Sequence, residues 1–330
     1  MAPKNRRILM LSAGALLLVS LLSLTLGAVS IPLPQLWQAL LAGPGNTAGA
    51  IFWYARLPRT LGCILAGAAL ACGGWILQNV LGNQLASPST IGVNAGAGLG
   101  ITICCALGFL SGWSLSLAAF GGALAAALLV MLLARKTGAS RTTVILSGVA
   151  LNSILNALRD AVTTLVPEAG LLGSDFRVGG FSALSGQRLL PAAVLILAAL
   201  VLSVLLHNEL DLLALGEETA QSLGLCVRKS RRLFLLLAAV LAGAAVSFAG
   251  LLSFVGLMVP HMVRRCSGGE SKLGLPLCAL MGGGLVTVCD LLSRLVFAPF
   301  ELPVGILISI LGGPFFLGLL LQGKGGSRNA

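Results

Sequence analysis

The chain has 330 residues, of which 57% are hydrophobic and only 9% are charged. A soluble domain draws roughly a quarter of its residues from Asp, Glu, Lys and Arg, so 21 basic and 10 acidic side chains cannot build a water-facing surface. A soluble enzyme and a disordered chain are thereby excluded. The net charge of +11 is scattered among apolar runs and forms no basic stripe, which argues against nucleic acid as a partner. With 43 glycines, residues that suit close packing of membrane helices, the composition defines an all-α, polytopic membrane protein embedded in a lipid bilayer.

Lys4, Arg6 and Arg7 precede an apolar run over 8–29. It resembles a signal peptide, but it is long enough to cross the bilayer and reads as an uncleaved first span. The second and third spans are expected at about 60–81 and 92–110. Gly67 and the 71–74 cluster on the second, and Gly92, Gly96 and Gly100 on the third, read as surfaces for close helix packing. Between them, 82–92 (G-N-Q-L-A-S-P-S-T-I-G) is polar and uncharged. At membrane depth such a segment is buried in protein or lines a cavity, so it is either a pathway lining or a plain tight turn.

Further spans are expected at about 114–134, 142–166 and 189–206. The run 233–263 is uncharged over 31 residues and as one helix would be about 46 Å long, too long for one upright span. Arg231 and Arg232 precede it and Arg264 and Arg265 follow it. Basic residues collect on the cytoplasmic side, so the run should go out and back as a tight helix pair, at about 231–248 and 252–264, turning near 247–253. Spans at about 273–293 and 304–322 complete a set of ten, with both termini cytoplasmic and one membrane domain over 1–330. On this topology six of the 21 basic residues lie outside: Arg56, Arg59, Arg159, Arg177, Arg188 and Arg294. Trp37, Trp53, Tyr54 and Trp113 then fall at the outer interface, as an aromatic belt does. The outer loops are about 30–55 and 159–188, and the largest inner loop is about 207–230.

Reactive chemistry is sparse. The eight cysteines have no C-x-x-C spacing and there are two histidines, so no metal site is expected and the thiols read as small apolar residues. Segment 318–325 approaches a phosphate-binding loop, but Gly325 stands where Ser or Thr must bind magnesium. No cofactor and no catalytic residue is expected. No ionisable residue falls near the middle of a span, where ion-coupled carriers place them. This favours an energy source outside the chain over an ion-coupled secondary transporter. In the inner loop, Gly216 and Gly224 bracket a short helix with Glu217 and Glu218 in its first turn, where the helix dipole favours acids. Ala220 and Leu223 are expected to share a face that could enter a partner's groove.

Several segments occur in a recognisable order: R-L-P-R-T-L (56–61), A-G-A-A-L-A-C-G-G (66–74), N-Q-L-A-S-P (83–88), G-V-N-A-G-A (92–97), L-S-G-V-A-L (146–151), L-A-L-G-E-E-T-A-Q-S-L-G (213–224), F-V-G-L-M-V-P-H (254–261), A-L-M-G-G (279–283) and E-L-P-V-G-I (301–306). The chain resembles FecCD-type permeases, the membrane subunits of ABC importers for iron–siderophore complexes, haem and cobalamin. Gln84 departs from the proline the family often carries there. The resemblance implies ten helices in the cytoplasmic membrane of a bacterium. It implies a second permease subunit, identical or pseudo-symmetric, two cytoplasmic ATPase subunits and an extracytoplasmic substrate-binding protein. An iron–siderophore complex is the first expectation for cargo, with cobalamin or haem as alternatives. By matching position, Asn83, Leu85, Thr142 and Thr143 would form the cytoplasmic gate. Ala214, Leu215, Gly216, Glu217, Glu218, Thr219, Ala220, Leu223 and Gly224 would couple to the ATPase. Arg56, Arg59 and Arg294 would meet acidic residues of the binding protein.

Overall fold

The computed structural model describes residues 3–27, 43–136, 141–182, 184–296 and 300–325, and every regular element among them is helical. In chain order these are α1 (Pro3–Thr25), α2 (Thr47–Leu81), α3 (Val93–Ala106), α4 (Gly112–Lys136), α5 (Arg141–Leu165), α6 (Pro167–Leu172), α7 (Ser174–Val178), α8 (Gly186–Leu205), α9 (His207–Ala214), α10 (Glu217–Ser222), α11 (Val227–Ala249), α12 (Val255–Ser267), α13 (Ser271–Leu295) and α14 (Val304–Gly325). Among the described residues six helices, α1, α2, α4, α8, α11 and α13, are long and apolar enough to cross a membrane. α3 is apolar but shorter, as is the first part of α14. Trp37 lies outside the described residues, whereas Trp53, Tyr54 and Trp113 are exposed.

α2 is the hub. It packs against α13, α11 and α12, and its residues are almost continuously buried from Thr60 onward. Lipid tails are as apolar as leucine, so helices in a bilayer associate through close van der Waals contact, which small residues permit. A methyl group at Gly67 would overlap the Gly282 carbonyl of α13, and one at Gly74 would overlap the Gly256 carbonyl of α12. The glycine ladder on α3 works the same way: Gly96 meets Gly122 of α4, and Gly100 meets Ala118. Trp75 is fully buried on α2 in space left open by Gly274, and its indole Nε1 donates to Ser271 Oγ at 3.0 Å.

Two expectations about chain path are corrected. The last part of the segment read as an outer loop over 30–55 is helix: α2 starts at Thr47, capped by the Asn46 side chain, which accepts from Gly49 N, while 30–42 lie outside the described residues. A widened π turn at Ile51–Arg56 precedes Pro58. It accommodates a residue that has no N–H and clashes with the carbonyl four residues back, so the helix continues through a proline. The long apolar run does break where expected, between Ala249 and Val255, but α11 and α12 do not form a tight pair. Each packs on α2 instead. The link leaves α11 through Gly250 at φ 70° and enters α12 through Phe254 at φ 63°. Only the first is a glycine, so the second is strained.

The two ends of the bundle differ in chemistry. At one end α1 finishes beside Arg56 and Arg294. A cavity of about 440 Å³ at this end is lined by Arg59, Phe176, Gly180, Glu301 and Val304. At the other end lie Gly82, Arg141, Leu213 and Arg231. α1 ends, and α14 begins, at the Arg59 end, so the two helices point their outer termini towards the Arg141 end.

The backbone contacts on α2 predict a contrast. Gly74→Val should cost about 1–3 kcal/mol, because α12 must move off α2. Gly284→Ala has open space around it and should be neutral or gain about 0.5–1 kcal/mol from lower unfolded-chain entropy. Thermal unfolding of the micelle-solubilised variants measures both.

Candidate functional site

The turn after α2 and the start of α5 meet at the Arg141 end. Gly82 closes α2 in the left-handed region (φ 58°), the backbone that glycine adopts without strain. A side chain there would overlap the Arg141 guanidinium. Asn83 Oδ1 then accepts from Leu85 N at 2.9 Å, which turns the exposed Leu85 outward. Thr142 is exposed and Thr143 half-buried in the first turn of α5. The four residues expected at the gate therefore sit on two segments joined through Gly82 and Arg141. Farther along, Asn152 Nδ2 of α5 donates to Ser89 O at 2.8 Å, and Gly148 has no room for a side chain against Thr90 O. The 82–92 segment is thus clamped along α5. Its Ser87, Pro88 and Ser89, with Asn94, Ser253 and Phe254, line a cavity of about 230 Å³. α5 buries Val144, Gly148, Leu151 and Leu155 and exposes Thr142, Leu146, Val149 and Ser153 on its other face.

The same end carries the bracketed helix. Gly216 and Gly224 have φ of 113° and 86°, so each supplies a turn that other residues resist, and α10 runs between them. Ala214, Leu215, Glu218, Thr219, Leu223 and Gly224 are exposed, with Leu215 and Leu223 at 62% and 59%. The expectation that Ala220 and Leu223 share a docking face is corrected: Ala220 is fully buried and anchors α10 to the body while Leu223 points away. Glu217 is engaged within the chain, in an ion pair with Arg231 of α11. α9 is pinned too. Asp211 accepts from Ser271 N at 2.9 and 3.2 Å, capping α13, and Leu213 O accepts from Arg141 Nη2 at 2.6 Å. Arg141 thus touches the turn after α2, opens α5 and holds the segment leading into α10. Its position just before a span marks it in sequence only as a flanking charge.

At the opposite end the three arginines expected on an exposed docking face are turned inward. Arg56 is 6% exposed and Arg294 5%. Arg56 Nη1 donates to Leu24 O and Thr25 O at 2.6 and 2.7 Å, satisfying the terminal carbonyls of α1 at its negative dipole end. Arg294 Nη2 donates to Ser23 Oγ at 2.8 Å, and Ser23 Oγ lies 2.9 Å from Thr60 Oγ1. Asp290, fully buried, is shared: Arg59 meets it through Nε and Nη2, both at 3.0 Å, and Arg294 at 3.1 Å. Arg59 also reaches the half-exposed Glu301 at 2.8 Å. The physical reason is that buried charges must be paired. Sequence reasoning missed Asp290, although its i,i+4 spacing to Arg294 and its level beside Arg59 were the available signal.

Among the described residues no group of three or more His, Cys, Asp and Glu side chains lies together. Six of the cysteines are buried free thiols, and Cys226 and Cys266 are exposed. His261 packs edge-on against Phe315 of α14, with ring centres 6.2 Å apart.

The helical membrane body has tied polar groups at both ends and a glycine-bracketed helix pinned at one of them, and comparison with known proteins gives its class, a transport-family membrane protein. Residues 15–322 match the FecCD transport family, to which the chain belongs. It is 35% identical over 313 residues to the hemin transport system permease protein HmuU of Yersinia pestis, covering 93% of each chain. It is 33% identical to the ferric enterobactin transport system permease protein FepG of Escherichia coli, covering 96% of this chain and 97% of FepG. It is 35% identical to the vitamin B12 import system permease protein BtuC of Klebsiella pneumoniae, covering 98% and 96%. A solved structure described as an inward-facing metal-chelate type ABC transporter superposes with a TM-score of 0.86 at 27% identity, covering 96% of this chain and 99% of that one.

Asp290→Ala would leave Arg59 and Arg294 buried without their shared acid. Breaking such a pair from one side costs about 3–5 kcal/mol, so this variant should show a large fall in unfolding midpoint, whereas Glu301→Ala at the exposed edge should cost no more than about 1 kcal/mol.

Proposed function

We propose that the chain is the permease subunit of a binding-protein-dependent ABC importer in the cytoplasmic membrane of a bacterium. In this reading residues 1–330 form one membrane domain of ten spans, contributed by α1 to α5, α8 and α11 to α14. Both termini and the α9–α10 segment lie inside. A second permease subunit completes the pathway, two ATPase subunits supply the energy and an extracytoplasmic binding protein delivers the cargo. The cargo class is an iron–siderophore complex, haem or cobalamin. The relatives named above divide among these three, and the iron–siderophore complex is our first choice.

The observation that carries the mechanism is the bridging position of Arg141. The exposed Leu215 and Leu223, with Glu218 and Thr219 between them, form the surface seated on the ATPase. Glu217 and Ala220 fix that surface to α11 and the body. A displacement of α10 is transmitted through α9 and Leu213 to Arg141, and from there to Asn83, Leu85, Thr142 and Thr143. Arg56, Arg59 and Arg294 act at the other end as a clamp that shapes the docking face for the binding protein. The Arg59–Glu301 pair lies at its rim.

In proteoliposomes holding the complete importer, Leu223→Glu should loosen ATPase association and lower transport. Arg141→Ala should leave association intact but uncouple ATP hydrolysis from transport. Unchanged transport with both variants would sink the coupling assignment. Cysteine labelling at 218, on a background without native cysteines, should occur only from the inside; labelling from outside would overturn the topology.

A further inference from the structure

At the Arg141 end, between α4, α5 and α11, lies a cavity of about 270 Å³. Arg135, Arg228, Arg231 and Arg232 surround it, over an apolar floor that includes Met131 and Val144. We propose that it holds the phosphate headgroup of an acidic phospholipid, with the acyl chains lying along α4.

Among the described residues no carboxylate lines the cavity. Glu217 pairs with Arg231 and offsets one of the four charges, which leaves three facing a common space. Arg228, Arg231 and Arg232 also fall in the opening turns of α11, which starts at Val227 with no side-chain cap. A helix N-terminus carries positive partial charge and disfavours cations. Like charges gathered around a cavity, on the helix end that repels them, are an arrangement that a bound anion relieves. Guanidinium forks match phosphate oxygens in two-point geometry, and α11's first N–H groups add to the same field.

The source of the phosphate follows from the surroundings. Leu128, Leu129 and Leu132, on the turns of α4 next to Met131 and Arg135, are 41–55% exposed. A headgroup at the arginines would therefore have an apolar track beside it at acyl-chain depth, which a free phosphate has no use for. Basic pockets between membrane helices at the cytoplasmic interface take acidic headgroups in this way. Val144 lies on the buried face of α5, opposite Thr142, Leu146 and Val149. The pocket is thus behind α5, on the side away from its exposed face.

The test is lipid retention by the full chain in its assembled complex, passed from nanodiscs of tetraoleoyl cardiolipin and phosphatidylcholine into detergent and read by native mass spectrometry. Cardiolipin should be retained over phosphatidylcholine. The retained fraction should fall several-fold in Arg228→Gln with Arg232→Gln, and independently in Arg135→Gln on the neighbouring helix. It should not fall in Arg6→Gln with Arg7→Gln, basic residues of the same flank outside the cavity. Equal loss in all variants would reduce the site to general attraction of the basic flank, and no loss in any would remove it. Saturable binding of inorganic phosphate in pure phosphatidylcholine nanodiscs, without cardiolipin retention, would assign a soluble anion and overturn the lipid. Unchanged cardiolipin retention with reduced ATPase co-purification would make the arginines an ATPase contact instead. The readout needs no cargo, so it stands or falls apart from the transport reading.

Discussion

The arrangement depends on how closely backbones approach α2. Inside a bilayer the hydrophobic effect gives helices no reason to leave lipid for one another, so association rests on contact area and on polar groups that find partners. Gly67 against Gly282 and Gly74 against Gly256 bring α13 and α12 to backbone contact with the hub. That spacing places other side chains. With α13 at this distance, Trp75 fits over Gly274 and reaches Ser271. With α12 fixed, the Arg264 guanidinium lies over the Trp75 ring, 4.6 Å from its centre, and Arg264 Nη2 reaches Asn79 Oδ1 at 3.2 Å. The same packing sets Asp290 within reach of Arg59.

Both ends of the bundle hold tied polar groups, but the ties differ in kind. The Asp290 cluster is buried, branched and shared among α1, α2 and α13. Charges in such a site are costly to separate, so this end behaves as one body. At the Arg141 end the links named above are pairwise and do not converge on one buried acid. One guanidinium reaches one carbonyl, Asp211 accepts from one N–H, and Glu217 with its carboxylate 41% exposed meets Arg231. Links of that kind can lengthen or exchange with water at modest cost. In the function proposed above, a stiff Asp290 end would keep the docking face in shape while the more lightly tied Arg141 end lets the ATPase move the gate.

The link before α12 adds a second element to this picture. Phe254 holds a left-handed backbone that costs energy for a side chain of its size, and its ring is what closes off Gly312 of α14. Ser253 and Phe254 also border the cavity beside Ser87 and Asn94. The break in the long apolar run therefore does more than reverse the chain. It starts a short helix against the middle of α2 and leaves polar backbone facing a cavity, the setting in which irregular backbone at membrane depth is tolerated.

That the chain is a set of apolar helices was legible in the sequence because hydrocarbon thickness sets the length of an apolar run and charge sets where it ends. The break near 250 followed from arginines at both ends of a run too long for one span, and the glycine ladders followed from packing without side chains. What the sequence could not say was which groups would meet. Arg56, Arg59 and Arg294 read as exposed cations because basic residues near span ends usually reach water or headgroups. Arg59 turns inward because α13 brings Asp290 against it from 231 positions along the chain, Arg294 meets the same acid from its own helix, and Arg56 meets the last carbonyls of α1. α11 and α12 are neighbours in sequence yet each packs on α2, and Ala220 anchors α10 while Leu223 faces away. Local pattern determined which segments are helices and which of their residues are small, apolar or charged. The partners of those residues were decided only when distant helices closed on α2, because a buried charge or a bare backbone is satisfied by whatever the tertiary structure places within about 3 Å of it.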